Sequence, residues 1–270
     1  MRKSIFEIEN RLNIGKEFDS LINALFENNT IHYDYKYMSY FDFLNYYVFN
    51  IWQYRDTFTD LKDYLEHVGI NSRIIDNYEP ITRRPFLNFL ELLLNLVLVI
   101  GDDIGFDKIR FRSVKIKNII SHNIPLILEK MNYESYNYQN TIRIRKRDAD
   151  VDSILELVPE DISALLLSYN DIRNNNINSK KSILKGIDLY IDKNKKKYKN
   201  VDKGLLDSIE TIVNNMGINH ESEDKPFSDL TNSELCKWYD KCFKLMIHLI
   251  RTEDILKIKK ERKELISAFL

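Results

Sequence analysis

The chain offers few side chains suited to nucleophilic or metal chemistry: five histidines and two cysteines in 270 residues. Cys236, Cys242 and His248 fall on one expected helix at intervals of six. Six residues turn a helix by about 600°, leaving each side chain roughly 120° round from the last. They do not converge on a metal, and the thiols are expected to pack as small apolar groups. The sequence has no GxxxxGK[ST] or GxGxxG loop to cradle phosphates, no HExxH or CxxC zinc spacing and no GxSxG nucleophile turn. His220 differs from the other histidines. It follows Asn214-Asn215-Met216-Gly217-Ile218-Asn219, where a helix stops at glycine and a polar loop begins. An imidazole exposed at such a junction can serve as general acid or base in RNA cleavage.

A second kind of chemistry is electrostatic. Arg143, Arg145, Lys146 and Arg147 follow closely on Tyr133, Tyr136 and Tyr138. Guanidinium groups and aromatic rings contact phosphates and unpaired bases, so these four cations with Tyr138 are a candidate RNA-binding face. Lys193, Lys195, Lys196, Lys197 and Lys199 read instead as a hydrated helix end, where cations offset the C-terminal dipole. With 40 Lys and Arg against 41 Asp and Glu, the formal net charge is −1. There is no global attraction to nucleic acid, and any such binding must be local.

These residues need a scaffold, and the composition makes it helical. Seven Gly and five Pro leave few turns, while 44% hydrophobic and 30% charged residues suit a globular chain with a sizeable core. The expected fold class is mainly α. A helical domain spans 1–132, a small β-hairpin or linker 133–148, and an up-and-down helical bundle 149–270. In the first half, 17–28, 40–54 and 58–68 show helical apolar spacing, and Gly69-Ile70 reads as a Schellman ending. HYDYKY over 32–37 alternates like a short extended piece. The most apolar run is PFLNFLELLLNLVLVI, 85–100, in which Asn88, Glu91 and Asn95 recur at i, i+3 and i+7. That pattern predicts a central buried helix with a narrow polar stripe rather than a membrane span, with Gly101 at its C′ position. A helix over 113–131, kinked near Pro125, is followed by the alternating YESYNYQNTIRIRKR, with Gln139-Asn140 as its turn. Helices are expected over 159–173, 179–199, 202–216 and 231–250, the last opened by a Thr231/Glu234 capping box, with a separate charged helix from Thr252. The N-terminus lacks a signal-peptide pattern and two cysteines suit a reducing compartment, so the expected location is cytoplasmic with no membrane contact.

The second half, with its Asn pair, Ile218, His220, a polar loop and then Leu235, Trp238 and Tyr239, resembles the HEPN superfamily. More narrowly, it looks like the HEPN-like C-terminal regions of bacterial abortive-infection (phage-defence) proteins, over residues 150–270. In that family an Arg followed by a His forms a metal-independent ribonuclease site, the His acting as acid or base and the Arg stabilising charge on the phosphate. By position His220 matches the His, while Asn214 stands where the Arg belongs and Asn219 where similar chains carry another Arg. Arg173-Asn174 matches the start of the motif with no His after it, so Arg173 would supply a cation from a distance. A neutral Asn gives hydrogen bonds without the positive charge that steadies a phosphate transition state. The resemblance therefore implies a defence-type module that binds RNA or a protein partner without intact catalysis. The alternative is a metal-independent endoribonuclease using His220 with Asn214, Asn219 and Arg173. It further implies a homodimer, because such sites are composite across two copies, and no cofactor.

Overall fold

In the computed structural model, which describes residues 12–76, 78–112, 122–218 and 230–269, the most apolar run forms the helix Arg83–Val99. It continues as a π-helical segment, Ile100–Ile104. Together they are long and apolar enough to cross a membrane, yet 67% of the most apolar window is buried inside the protein. Phe86, Leu90 and Leu96 are wholly buried, and Phe86 and Phe89 meet the ring of Phe18 edge-on from the helix Ile14–Phe26. Gly101 does not end this element as expected. It lies inside the π segment, and Gly105, at φ 86°, makes the left-handed exit with its N–H bonded to the Ile100 carbonyl at 2.8 Å.

The polar stripe on this helix has a definite use. Asn88 donates to the Val68 carbonyl at 3.3 Å. Asn95, 2% exposed, donates to the Ile142 carbonyl at 2.7 Å and accepts from the Ile142 N–H at 2.9 Å. The carboxylate of Glu91, 1% exposed, accepts from the Ile144 N–H at 2.8 Å. Ile142 and Ile144 belong to strand β5, Thr141–Lys146, which pairs with β4, Tyr133–Tyr138. One edge of β5 is thus completed by β4 and the other by two side chains of a helix. A buried backbone amide left without a partner costs about 1–3 kcal/mol, so Glu91 and Asn95 replace the ladder that a third strand would give.

The hairpin turn is the expected Gln139-Asn140. Both residues have positive φ, 46° and 60°, as a two-residue type I′ turn requires. That turn sets Tyr136 opposite Arg143 and Glu134 opposite Arg145. Tyr54 adds a bond from its hydroxyl to the Gln139 carbonyl at 3.1 Å.

HYDYKY also folds as a hairpin. Strands β1, Ile31–Tyr33, and β2, Lys36–Met38, pair antiparallel across Asp34 and Tyr35, both at positive φ. A third strand, β3, Arg110–Phe111, joins β1 on its other side in the order β2–β1–β3. The first unit therefore holds a second sheet beside the single hairpin expected from sequence. β3 is two residues long and closes a loop of more than seventy, so no local pattern announces it.

Several helix limits differ from expectation for local reasons. The helix begun at Tyr40–Phe43 widens into a π turn, Leu44–Phe49, and stops there, because the Arg55 guanidinium takes the Phe49 and Asn50 carbonyls. Leu61–His67 ends as predicted in a Schellman motif: Gly69, at φ 93°, bonds to Glu66 and buried Ile70 bonds to Leu65. Of the expected helix over 113–131, Ile124–Lys130 is helical and 113–121 lies outside the described residues.

The chain divides into two compact units between Arg145 and Lys146. The second is helical, comprising Glu160–Tyr169, Ile177–Lys193, Lys195–Val201, Lys203–Asn215 and Asn232–Phe269 after a short turn, Ala149–Asp152. Ile177–Lys193 packs on Glu160–Tyr169 and on the last helix, which also packs on Lys203–Asn215. Leu166, Leu184, Ile187, Ile209, Phe243 and Met246 fill the space between. The helix expected over 179–199 breaks at Asn194, whose side chain donates to the Tyr190 carbonyl at 2.9 Å. The capping box forms: the Glu234 N–H bonds to the Thr231 hydroxyl, and the Glu234 carboxylate accepts from the Thr231 N–H at 2.9 Å. The last two expected helices are one. Thr252 does not cap a new helix, because its hydroxyl donates back to the His248 carbonyl at 2.8 Å and the backbone continues.

Replacing Asn95 by Ala strips both hydrogen bonds from Ile142. Urea denaturation is expected to show a loss of about 2–4 kcal/mol. Asn88→Ala, one longer bond to a loop carbonyl, is expected to cost under about 1 kcal/mol.

Candidate nucleic-acid interface

On the β2–β1–β3 sheet, side chains alternate between core and solvent. Ile31 is wholly buried, and its cross-strand partners Met38 and Phe111 share its face. The opposite face carries the row Tyr37, His32, Arg110, each directly across from the next. The His32 and Tyr37 rings stand 4.5 Å apart, and Arg112 lies 5.2 Å over the Tyr37 ring. Tyr37 is 57% exposed, and Tyr35, at the tip of the β1–β2 turn, is 95% exposed. Arg110, Arg112 and Lys36 are exposed, and none of the three is ion-paired among the described residues. Aromatic rings and uncompensated cations on one open sheet face can stack bases and neutralise phosphates.

The hairpin expected to bind RNA is arranged differently. Arg145 is 3% exposed and ion-paired with Glu134, so it holds the two strands together and is not a surface contact. Arg143 is half-buried, 4.1 Å over the Tyr138 ring, with Tyr136 edge-on to Tyr138 at 6.4 Å. Lys146 and Arg147 are exposed and count with the second unit. Beside the hairpin tip is a cleft of about 550 Å³ lined by Trp52, Tyr54, Asn95, Asp102, Asp103 and Thr141, among others. It carries two carboxylates and no Lys or Arg, which disfavours phosphate there.

In the second unit, Asn214 is exposed near the end of Lys203–Asn215, and Arg173 is exposed on the turn Ile172–Asn174. Asn219 and His220 lie outside the described residues. The segment leading to them is well anchored. Gly217 exits the helix at φ 69°, buried Ile218 bonds back to Val213, and the Tyr239 hydroxyl donates to the Met216 carbonyl at 3.2 Å. Met216 and Trp238 line a groove of about 420 Å³ with Thr211, Ile212 and Asn215. Lys195 and Lys197 of the lysine run are held at 2.6 Å by Glu210 and 2.7 Å by Glu253, so part of that run serves the fold.

Sequence reasoning did not find one polar cluster of this unit. Tyr169 stacks on Phe243 with centroids 3.8 Å apart and donates to Asp240 at 2.9 Å, and the Lys180 ammonium reaches Asp240 at 2.5 Å. Three helices are tied at one point. Burial, then the charge and hydrogen bond of Asp240, raise the Tyr169 pKa. Burial pushes the Cys242 thiol up to about 12, so it packs and does not attack. Among the described residues no three His, Cys, Asp or Glu side chains gather as metal ligands.

Tyr40, Tyr198 and Tyr239 are likewise raised above the ordinary phenol range, chiefly by burial. The stabilisation these protonated phenols contribute is complete below the ordinary value of 10.0 and is lost as pH rises above it, because the unfolded chain ionises first. Stability is expected to fall steadily above about pH 10. In an alkaline titration Tyr40, Tyr169 and Tyr198 should ionise only as the fold is lost, and ionisation of all sixteen tyrosines in a still-folded chain would contradict it.

In comparison with known proteins, no family model, no curated protein and no solved structure matches the chain.

Proposed function

We propose that the chain is a helical RNA-binding protein that holds single-stranded RNA on the outer face of the β2–β1–β3 sheet without cleaving it. The observation that carries this reading is the row of exposed Tyr37, half-buried His32 and exposed Arg110, with Arg112 beside it and Tyr35 at its end. Tyr35 gives a base a free stacking surface, and Arg110 and Arg112 meet the phosphates on either side. A near-neutral chain can do this because Lys36, Arg110 and Arg112 give the face a local positive charge. The choice of RNA, and the setting in bacterial abortive infection, rest on the likeness of residues 150–270 to HEPN-like regions of defence proteins. Binding without cleavage is favoured because Asn214 stands where that family's Arg would be, leaving His220 without its cation.

The test is titration of the full chain with a labelled single-stranded RNA at several salt concentrations. Tyr35→Ala is expected to weaken binding by roughly 5–100-fold, the range for loss of one stacked base. Arg110→Ala and Arg112→Ala should each lower the slope of log K against log salt by about 0.7. The RNA should remain intact. Absence of salt-dependent binding, or binding indifferent to all three substitutions, would overturn the reading. Cleavage abolished by His220→Ala would replace it with the metal-independent endoribonuclease.

A further inference from the structure

The Asn232–Phe269 helix continues past the unit that supports it. Its last buried residue is Glu253, held by Lys197 and Lys257, and every residue over 255–267 is exposed. A solvated helix of this length is marginal by itself, and i,i+4 pairs such as Lys260–Glu264 add little. Its composition is also wrong for solvent. Ile255, Ile258, Leu265 and Ile266 are 43%, 56%, 61% and 46% exposed. Ile255, Ile258 and Leu265, with Arg262, fall at 3-4-3 spacing, the a, d, a and d positions of successive heptads.

We infer that this segment pairs with the same segment of a second copy as a parallel, in-register, two-stranded coiled coil. The charges choose both the partner and the direction. Asp254 is at g and Lys259 at the following e, and a parallel pair places each g beside the e of the opposite strand. Asp254 therefore meets Lys259 of the second copy, and the same pair recurs by symmetry. Residue g immediately precedes a, so Arg262 at the seam lies against Glu261 of the second copy. Among the described residues none of these four charges forms an ion pair within its own chain, although the field of Asp254 reaches Lys257. An antiparallel pair would instead set g against g and bring the acids Asp254 and Glu261 together. Arg262 at an a position weakens the seam while fixing its register, as a single polar a residue does.

Sedimentation of the full chain tests this. Wild type is expected at twice the chain mass, dissociating on dilution, whereas Leu265→Asp and Ile258→Asp sediment as single chains that keep the helical circular dichroism of the folded core and lose at most the signal of the terminal segment. Arg262→Leu should tighten the dimer by about tenfold or more. Oxidised Leu265→Cys should yield a covalent dimer, since only in-register parallel strands bring the two d positions together. A wild type that stays single at the highest concentration reached, or a dimer that survives Leu265→Asp, overturns the proposal. A dimer without the Leu265→Cys cross-link overturns its parallel register. Recruitment of the wild-type chain to anionic lipid vesicles without self-association would assign the stripe to a membrane surface instead.

Discussion

A strand edge must find partners for its backbone, and here a helix supplies them. Glu91 and Asn95 take the amides of Ile144 and Ile142, and Asn95 also meets the Ile142 carbonyl. A carboxylate and a carboxamide inside an apolar helix are unfavourable unless hydrogen-bonded. Once bonded to the strand they are specific, since a one-residue slip would turn the ladder away from both side chains. The register of β5 on the helix therefore fixes which hairpin residues face outward and where Tyr138 and Arg143 stand. It also explains why the most membrane-like stretch of the chain is the core of a folded unit: its polar stripe has a protein partner.

Much of this was legible in the residues. The i, i+3, i+7 spacing of Asn88, Glu91 and Asn95 put the polar groups on one face, Gly69-Ile70 and Gly217 marked helix ends, Thr231 and Glu234 marked a start, and Gln139-Asn140 marked the turn. What those polar groups would touch was not legible, because Ile142 and Ile144 lie about fifty residues on. The same limit hid the sheet face. HYDYKY looked extended by itself, but Arg110 and Arg112 reach it only through a two-residue strand. The basic hairpin misled for a related reason. The run of cations put Arg145 on a candidate RNA-binding face with Arg143, Lys146 and Arg147, and only the structure shows Arg145 buried against Glu134.

Charge is handled in two ways. Buried cations are paired, Arg145 on Glu134 and Lys180 on Asp240, and two exposed lysines, Lys195 and Lys197, are held by Glu210 and Glu253. Outside, among the described residues, unpaired charge includes the cations of the β2–β1–β3 face and the g and e positions of the last helix. Both combine uncompensated charge with exposed apolar or aromatic surface, the pairing that marks contact surfaces in a chain otherwise near neutrality. The first suits a phosphate-bearing strand and the second suits its own copy.

Amide hydrogen exchange at Ile142 and Ile144 tests the central claim most directly. If the helix side chains complete the strand edge, both amides exchange as slowly as those in the middle of Arg83–Val99. Exchange at the rate of the Gln139-Asn140 turn would show that the edge is open and that Glu91 and Asn95 do not hold it.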